Sequence, residues 1–339
     1  MVVVMAWLLA LASGCSLSSS DTGSGPEPSA KPSGPATSPE GLGEPARSTP
    51  GGETAEIGVM VWDTEIPFYA RFIDALEDGA AAQGVTVTLR NGQADLAEQI
   101  AVIDQFVADG VDALIVTPSD SEGITAAVQR AVAAGIPVIA ANNRIGDDGG
   151  ALTFVGADDV EFGRQQAQLL VEAMGTEGRV GLIQGRLGTS PQILREQGFK
   201  EELARYPGIE IVATQSADWA EDQAVAIVQD WLVSFGQDEL DAIVDQGPEG
   251  VAAAGLVRAS GRDELIVILG DYPRNVRDAI AAGTVYGTIN QDPYPQAYQA
   301  VELAVRALNG DRNLEENYYV PLPWVTAANF DEIPPAWGG

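Results

Sequence analysis

Residues 112–141 read DALIVTPSDSEGITAAVQRAVAAGIPVIAA, and this stretch decides the fold. An apolar run at 113–116 is followed by a polar turn, an amphipathic stretch and a second apolar run at 137–141. Short, nearly continuous apolar runs that alternate with helical stretches are typical of parallel strands covered by helices on both faces of a sheet. The stretch therefore predicts one strand–helix–strand unit of a doubly wound α/β fold.

The same alternation continues through most of the chain. One series of strands and helices runs from residue 56 to about residue 157, and a second runs from residue 158 to residue 291. A further helical stretch at 296–308 indicates that the chain returns to the first series. We expect an α/β protein with two doubly wound, Rossmann-like parallel-sheet lobes joined by a hinge. The expected boundaries are 56–157 plus 292–316 for the N-terminal lobe and 158–291 plus 317–339 for the C-terminal lobe.

Residues 1–15 read MVVVMAWLLALASGC and resemble the signal segment of a bacterial lipoprotein. The apolar stretch 2–12 is about half of the roughly 20 residues that a membrane span requires, so it fits the apolar core of a signal peptide. The small residues before Cys15 resemble a lipobox, which implies that Cys15 becomes lipidated and anchors the protein to a membrane. The alternative is an uncleaved buried helix with an incidental cysteine.

Residues 16–55 have the composition of a tether. Of these 40 residues, 27 are Pro, Gly, Ser or Thr, and none is aromatic. Such a segment buries too little apolar surface to offset the entropy of ordering it. We expect a disordered Pro/Ser/Gly-rich link between Cys15 and the folded body.

The composition argues against several classes of function. The chain carries 49 acidic and 18 basic residues, a net charge of −31, with no histidine and one cysteine. A phosphate backbone requires clustered Lys and Arg, so nucleic acid is not an expected partner. Histidine is the commonest metal ligand and general base, and a single cysteine forms neither a disulfide within the chain nor a cysteine-based zinc site. We expect no metal, no cofactor and no catalysis.

Candidate ligand-binding residues follow the predicted strands, because doubly wound sheets bind ligands outside the carboxyl ends of their strands. These positions carry aromatic rings and planar polar groups. Planar groups match adjacent sugar hydroxyls, and aromatic faces stack on the C–H patches of a sugar. The set therefore favours a carbohydrate ligand. Its members are Asp63, Phe68, Tyr69, Thr117, Asn142, Asn143, Arg144, Arg195, Trp219, Gln246, Asp271 and Gln291.

Several of these positions also have a purely structural interpretation. Phe68 and Tyr69 fit a hydrophobic core as well as a ligand stack. Asp245 and Glu249, which lie near Gln246 in the sequence, are expected on a solvated face. Arg195, Asp271 and Trp219 are harder to explain structurally, because they lie where strand ends converge.

The body resembles a known family over residues 56–311: type I periplasmic binding proteins of the ribose/galactose class, which share the ligand-binding core of lactose-repressor-type proteins. The order and spacing of several short pieces carry the resemblance. They are IPFY at 66–69, DALIVTPSDS at 112–121, GIPVI at 135–139, GTS at 188–190, REQGF at 195–199, GD at 270–271 and GTINQ at 287–291.

The resemblance implies two lobes joined by three crossovers that close on a sugar. It implies aromatic contacts from Phe68 and Tyr69 in one lobe and from Trp219 in the other. It also implies that Arg195 and Asp271 bind hydroxyls, with further contacts from the two glutamines of the candidate set. This chain departs from ribose-binding members of the family at three places. It has Ile66 where they have Asn, Asn142-Asn143-Arg144 where they have an Asp-Arg pair, and Gln246 where Asn is usual. These differences favour a ligand other than ribose: another pentose, a hexose or a polyol.

We therefore expect an extracytoplasmic, membrane-anchored solute-binding lipoprotein, periplasmic or on the cell surface, that acts as a monomer. It would capture a monosaccharide or polyol by hinge closure and deliver it to the permease of an ABC importer. The alternative is a sugar sensor whose closed form is read by a chemoreceptor or a sensor kinase. A repressor is opposed by the signal segment and the acidity, and a glycosidase requires a working pair of carboxylates.

Overall fold

The structure is a computed structural model that describes residues 54–338. Strands and helices alternate along this part of the chain. The strands are β1 (Glu56–Val61), β2 (Thr86–Asn91), β3 (Ala113–Thr117), β4 (Val138–Ala141), β5 (Thr153–Gly156), β6 (Glu177–Gln184), β7 (Gly208–Ser216), β8 (Ala242–Asp245), β9 (Ile266–Gly270), β10 (Gly287–Ile289), β11 (Asn317–Tyr319) and β12 (Trp324–Thr326). The helices are α1 (Pro67–Gln83), α2 (Leu96–Asp109), α3 (Thr125–Ala133), α4 (Asp159–Met174), α5 (Ser190–Leu203), α6 (Glu221–Ser234), α7 (Val251–Ala259), α8 (Arg274–Ala281) and α9 (Pro293–Leu308).

The strands form two sheets of six. The first, in the order β11-β5-β4-β3-β1-β2, is parallel throughout and forms the N-terminal lobe. The second, in the order β12-β10-β9-β8-β6-β7, is parallel except for β12 and forms the C-terminal lobe. The direction in which successive strands are added to the sheet reverses beside β1 in the first sheet and beside β6 in the second. The carboxyl ends beside these two strands are therefore the expected ligand crevice of each lobe.

Apolar strands buried on both faces explain why the sheets are parallel. All five residues of β3 are buried, and successive residues enter different core clusters: Ile115 lies on one face, and Leu114 and Val116 lie on the other. In the second sheet, Ile243 and Val244 likewise lie on opposite faces. Side chains alternate across a strand, so each sheet needs helices on both sides. The prediction of two doubly wound lobes is confirmed.

The chain crosses between the sheets three times: after β5, after β10 and after β11. As the helical pattern indicated, α9 returns to the N-terminal lobe, where it packs against α1. The expected boundary at residue 316 is wrong, because β11 pairs in parallel with β5 and so belongs to the N-terminal lobe. The cause is the free edge of β5, whose Phe154 amide donates to the Glu316 carbonyl at 3.0 Å. The third crossover therefore follows Tyr319.

The last described residues contact both lobes. The Ala336 amide donates to the Tyr272 carbonyl at 2.9 Å, and the Arg274 amide donates to the Trp337 carbonyl at 3.0 Å, both in the C-terminal lobe. The Trp337 ring, however, packs edge-to-face on Phe68 of the N-terminal lobe, with ring centroids 5.2 Å apart. The C-terminal segment therefore links the two lobes.

The expected signal segment, the lipidation site Cys15 and most of the tether lie outside the described residues. Within residues 54–338, no helix has the length and apolar character that a membrane crossing requires.

Candidate functional site

Arg195 occupies the centre of the candidate site. It lies in α5 and is 2% exposed. Its Nε donates to Asp159 Oδ1 at 2.9 Å, and its Nη1 donates to the Gln246 carbonyl at 2.7 Å. The guanidinium carbon lies 3.8 Å from the centre of the Phe162 ring. Hydrogen bonds and ring packing thus hold this buried cation in one orientation.

Two glycines allow α5 to approach α4 closely enough to place Arg195 there. A Cβ atom on Gly163 of α4 would lie 1.9 Å from the Arg195 carbonyl oxygen, and one on Gly198 of α5 would lie 1.9 Å from the Val160 carbonyl oxygen. Any larger residue would separate the helices. The glycines therefore determine the position of the guanidinium.

Asp271 follows β9 and faces the same guanidinium. Its Oδ1 lies 3.9 Å from Arg195 Nη1 and has no hydrogen-bond partner, and the residue is 6% exposed. Burial raises the pKa of the Asp271 carboxyl to about 6, although the charge of Arg195 and a hydrogen bond from Gln291 act in the opposite direction. Asp271 thus presents an unused, buried acceptor.

Trp219 lies beside this pair, on the loop after β7. Its ring centre is 5.8 Å from the guanidinium carbon of Arg195. A Cβ on Gly185 would lie 1.9 Å from the indole, and one on Gly247 would lie 2.9 Å from it, so the ring covers both backbones. Trp219 also packs against the core cluster of the N-terminal lobe. Its indole is therefore in contact with both lobes.

A chain of hydrogen bonds runs from Tyr69 of the N-terminal lobe to Gln291, whose side chain neighbours Asp271. The Tyr69 hydroxyl donates to Asn142 Oδ1 at 2.9 Å, and Asn142 Nδ2 donates to Gln296 Oε1 at 3.1 Å. Gln296 Nε2 donates to Gln291 Oε1 at 3.1 Å, and the Gln291 side chain acts to lower the pKa of Asp271. Every donor in the chain points toward Gln291. Gln296 lies inside the predicted helix 296–308 and carried no signal of its own in the sequence.

The first-lobe aromatic residues lie in the core. Phe68 and Tyr69 are buried, and their rings meet edge-to-face with centroids 5.3 Å apart. Burial raises the pKa of the Tyr69 phenol above its ordinary value. Thr117 is also buried, and its Oγ1 accepts a hydrogen bond from the Trp62 amide at 3.1 Å. Phe68 and Tyr69 therefore make the contacts of hydrophobic-core residues in this structure.

Three other candidates use their side chains within the protein. Asn143 Nδ2 donates to the Pro118 carbonyl at 2.7 Å, and Asp63 Oδ1 accepts from the Glu65 amide at 2.9 Å. Gln246 uses both ends of its amide, since Oε1 accepts from the Gly185 amide and Nε2 donates to the Gln192 carbonyl, each at 3.0 Å. These contacts orient loops around the site.

Arg144 likewise uses its side chain within the protein. Its Nη1 donates to Asn317 Oδ1 at 2.8 Å, its Nη2 donates to the Tyr319 hydroxyl at 2.9 Å, and its guanidinium carbon lies 4.0 Å above the Phe154 ring. Its backbone amide donates to Ser190 Oγ of the other lobe at 2.7 Å. The Arg144 side chain thus fastens β11 to the first sheet.

Asp245 and Glu249 are the ionisable groups that the sequence interpretation placed wrongly. Both are buried, not solvated, and Glu249 is 6% exposed. Burial is the largest cause of the raised pKa of both carboxyls. For Asp245, the negative charges of Glu249 and Asp271 raise the pKa further. The one feature of the sequence that could have indicated burial is the position of Asp245 at the end of an otherwise apolar strand. Across residues 54–338, no cluster of acidic or cysteine side chains has the arrangement of a metal site.

Residues 57–312 match the family model for a periplasmic binding protein domain. The chain is a periplasmic binding protein. This family match and the two-sheet topology agree with the resemblance inferred from the sequence.

Relatives of this periplasmic binding protein align along most of their length. It is 28% identical over 292 residues to a xylitol-binding protein of Mycolicibacterium smegmatis, covering 86% of this chain and 82% of the relative. It is 27% identical to the ribose import binding protein of Bacillus subtilis, covering 78% and 85%. A solved structure of a Caulobacter myo-inositol binding protein with bound myo-inositol is 30% identical, with a TM-score of 0.77 and coverage of 84% and 97%.

Proposed function

We propose that this periplasmic binding protein is an extracytoplasmic lipoprotein that binds one monosaccharide or polyol between its lobes and delivers it to an ABC importer. The observation that carries the proposal is the group formed by Arg195, Asp271 and Trp219. A buried acceptor without a partner lies beside a fixed guanidinium and an indole that contacts both lobes. Hydroxyl groups and C–H faces of a sugar or polyol satisfy these three groups together.

The relatives support the ligand class. They are named for xylitol, ribose and myo-inositol, which are polyols or a pentose, and their names describe binding proteins, not enzymes. The chemistry shared by these ligands is a ring or chain of neutral hydroxyl groups. We propose that the present ligand contains such a skeleton and is bound without being converted.

The crossovers support a hinge mechanism. Three short segments join the lobes, so the lobes can rotate about them without breaking either sheet. A ligand held by Asp271 on one side and by the N-terminal lobe on the other binds the closed form more tightly, and this shifts the population toward that form. An importer would then distinguish loaded from empty protein by shape. Lipidation at Cys15 would keep the protein near that importer.

A thermal-unfolding screen of the purified chain against pentoses, hexoses, polyols, amino acids and nucleosides tests this function. A ligand present at 100 times its dissociation constant stabilises a protein by about 2.7 kcal/mol, which raises the melting temperature by a few degrees. We expect such a shift with at least one sugar or polyol and its loss in Asp271→Asn. Asp230→Asn, at an exposed position of α6, is the matched control. A shift only with amino acids or nucleosides would contradict the proposal.

A further inference from the structure

The buried side-chain atoms that lack hydrogen-bond partners share one property. Among residues 54–338 they are carboxylate or amide oxygens, apart from the Ser121 hydroxyl. Four acidic residues of the C-terminal lobe account for most of them, and we call these four the carboxylate wall. Its members are Asp159, Asp245, Glu249 and Asp271.

Glu249 lies in the carboxylate wall beside Trp219. A Cβ on Gly247 would be 2.2 Å from Glu249 Oε2 and 2.9 Å from the Trp219 ring, so both side chains flank the same glycine. The charges of Asp271 and Arg195 both act on the Glu249 carboxyl. Asp245 is the side-chain hydrogen-bonding neighbour of Glu249, and no donor of another side chain reaches the Glu249 oxygens. Glu249 is therefore a buried carboxyl whose side chain pairs only with another carboxyl, and it lies beside the Trp219 indole.

The negative charge of the carboxylate wall exceeds the positive charge that faces it. Arg195 and Arg262 are the buried cations among residues 54–338, and Arg262 donates to the Leu240 carbonyl at 3.1 Å, away from the wall. The charge of the half-buried Arg144 acts on Asp159. Arg195 already bonds Asp159 at 2.9 Å. Burial is the largest cause of the raised pKa of both Asp245 and Glu249, so this pair holds at most one negative charge near neutral pH. Together with Asp271, the wall retains a surplus of charge and of acceptors.

A ligand amine fits this surplus better than a hydroxyl. A hydroxyl supplies one donor and no charge, whereas an ammonium group supplies three donors and a positive charge. We propose that Glu249 is a specificity-determining residue and that, with Asp271, it selects a ligand that carries a protonated amine on a sugar or polyol skeleton. This rests on the proposed function, which it narrows to amino sugars and amino polyols. A metal cation fits less well, since the described residues form no cluster with the arrangement of a metal site.

Calorimetric titration of the purified chain with matched pairs tests the proposal. The pairs are D-glucosamine with D-glucose, D-galactosamine with D-galactose, 1-amino-1-deoxy-D-sorbitol with D-sorbitol, and an inosamine with myo-inositol. At pH 7 we expect at least one amine to bind about tenfold or more tightly than its neutral parent, because hydrogen bonds to charged groups exceed neutral ones by about that factor. Neutral parents that bind as tightly as their amines would overturn the proposal and leave the proposed function intact.

Glu249→Gln keeps the size of the side chain and removes its charge, and circular dichroism checks that the variant folds. We expect the ratio of amine to parent affinity to fall toward one in this variant, while Glu221→Gln, at an exposed position of α6, keeps the wild-type ratio. A ratio unchanged in Glu249→Gln would overturn the assignment of Glu249. If neither amines nor parents bind while the thermal screen finds another neutral sugar or polyol, the inference fails and the proposed function stands, whereas a screen that finds only amino acids or nucleosides contradicts both.

Discussion

Arg195 holds the C-terminal half of the site together through contacts that exist before any ligand arrives. It bonds Asp159 directly, lies 3.9 Å from Asp271 and packs on Phe162. A cation that is already fixed loses little entropy when a ligand binds, so its hydrogen bonds contribute more fully to affinity. The same contacts make Arg195 part of the folded structure as well as of the candidate site.

Arg195→Ala should therefore reduce both stability and binding. Removing one partner of a buried ion pair costs about 3–5 kcal/mol of unfolding free energy, because Asp159 is left as an uncompensated charge. Arg130→Ala breaks the exposed pair with Asp104 and should cost less than about 1 kcal/mol. Urea unfolding at pH 7 measures both variants. Equal losses in the two would show that the Arg195 pair is not buried as described.

We expect Asp271 to give the proposed binding a pH dependence. Burial holds the pKa of this carboxyl near 6 in the free protein, and a ligand that donates to the carboxylate favours its ionised form. Binding then releases a proton, so affinity should rise with pH up to about 6 and level off above it. The raised pKa has the opposite effect on folding: the ionised carboxylate is disfavoured in the native state, so its contribution to stability falls as pH rises from about 4 to 6.

Titrations between pH 4.5 and 7.5 check this dependence. We expect roughly a tenfold loss of affinity for each pH unit below 6 in the wild type, the limit for a single linked proton. The slope should become shallower in Asp271→Asn, where only the other acids of the carboxylate wall still titrate. Affinity that is independent of pH in the wild type would contradict the role of Asp271 as an ionised acceptor.

At these positions the sequence predicted which residues follow a strand, but not where their side chains turn. Asn142, Trp219 and Asp271 have positive φ angles of 59°, 60° and 59°, and none of them is a glycine that would signal such a conformation. Arg144 turns toward Asn317, a residue 173 positions away, and no local pattern reports a partner that distant. The assignment of the twelve candidates to a ligand stays a prediction.

At the scale of single elements, the loops after β6 and β8 create the surface on which Trp219 lies. Gly185→Ala should displace the indole, because the new Cβ would lie 1.9 Å from the ring. We expect a loss of about 1–3 kcal/mol in stability from the forced rearrangement, and weaker binding of any sugar or polyol found in the screen. Thermal unfolding and tryptophan fluorescence report the two effects.

Gly255→Ala is the matched control, since a Cβ there meets nothing within 4 Å and the residue lies inside α7. Alanine is a better helix former than glycine by about 1 kcal/mol, so this variant should be slightly more stable than wild type, with unchanged binding. If Gly185→Ala behaves like Gly255→Ala, the indole does not lie where we describe it.

The amide chain through Gln296 connects α1, α9 and the loop after β10. Gln296→Leu should leave Asn142 Nδ2 and Gln291 Oε1 without partners, at a cost of about 1–3 kcal/mol for each buried group. Gln105→Leu, at an exposed position of α2, should change stability by less than about 0.5 kcal/mol. Guanidinium unfolding distinguishes them. A loss no larger than that of the control would show that the amide chain does not contribute to stability.

Elements with a strong apolar pattern could be predicted to within a few residues, and weak or very short ones could not. The helical stretch indicated over 296–308 is observed as Pro293–Leu308. In contrast, α8 has its buried residues Val276, Ala279 and Ile280 at helical spacing, but at eight residues it is too short for that spacing to repeat. The three-residue strands β11 and β12 exist because neighbouring strands offer a free edge, which is a tertiary and not a local cause.

For the whole molecule, the sequence predicted two doubly wound lobes and the return of α9, because both depend on repeated apolar patterns. The position of the third crossover and the path of the C-terminal segment depend on contacts between distant parts of the chain. Trp337 illustrates this, since its ring packs on Phe68 of one lobe while its carbonyl accepts from Arg274 of the other. Any opening of the lobes must move this link, so the segment belongs to the hinge motion that we propose.

A crystal structure of the protein with the sugar or polyol from the screen would show whether one ligand binds between the lobes. We predict the ligand against the Trp219 indole, with its oxygen or nitrogen atoms within hydrogen-bond distance of Asp271 Oδ1 and the Arg195 guanidinium, and with the N-terminal lobe closed over it. A ligand that contacts one lobe only, or that leaves Asp271 Oδ1 without a partner, would contradict the account.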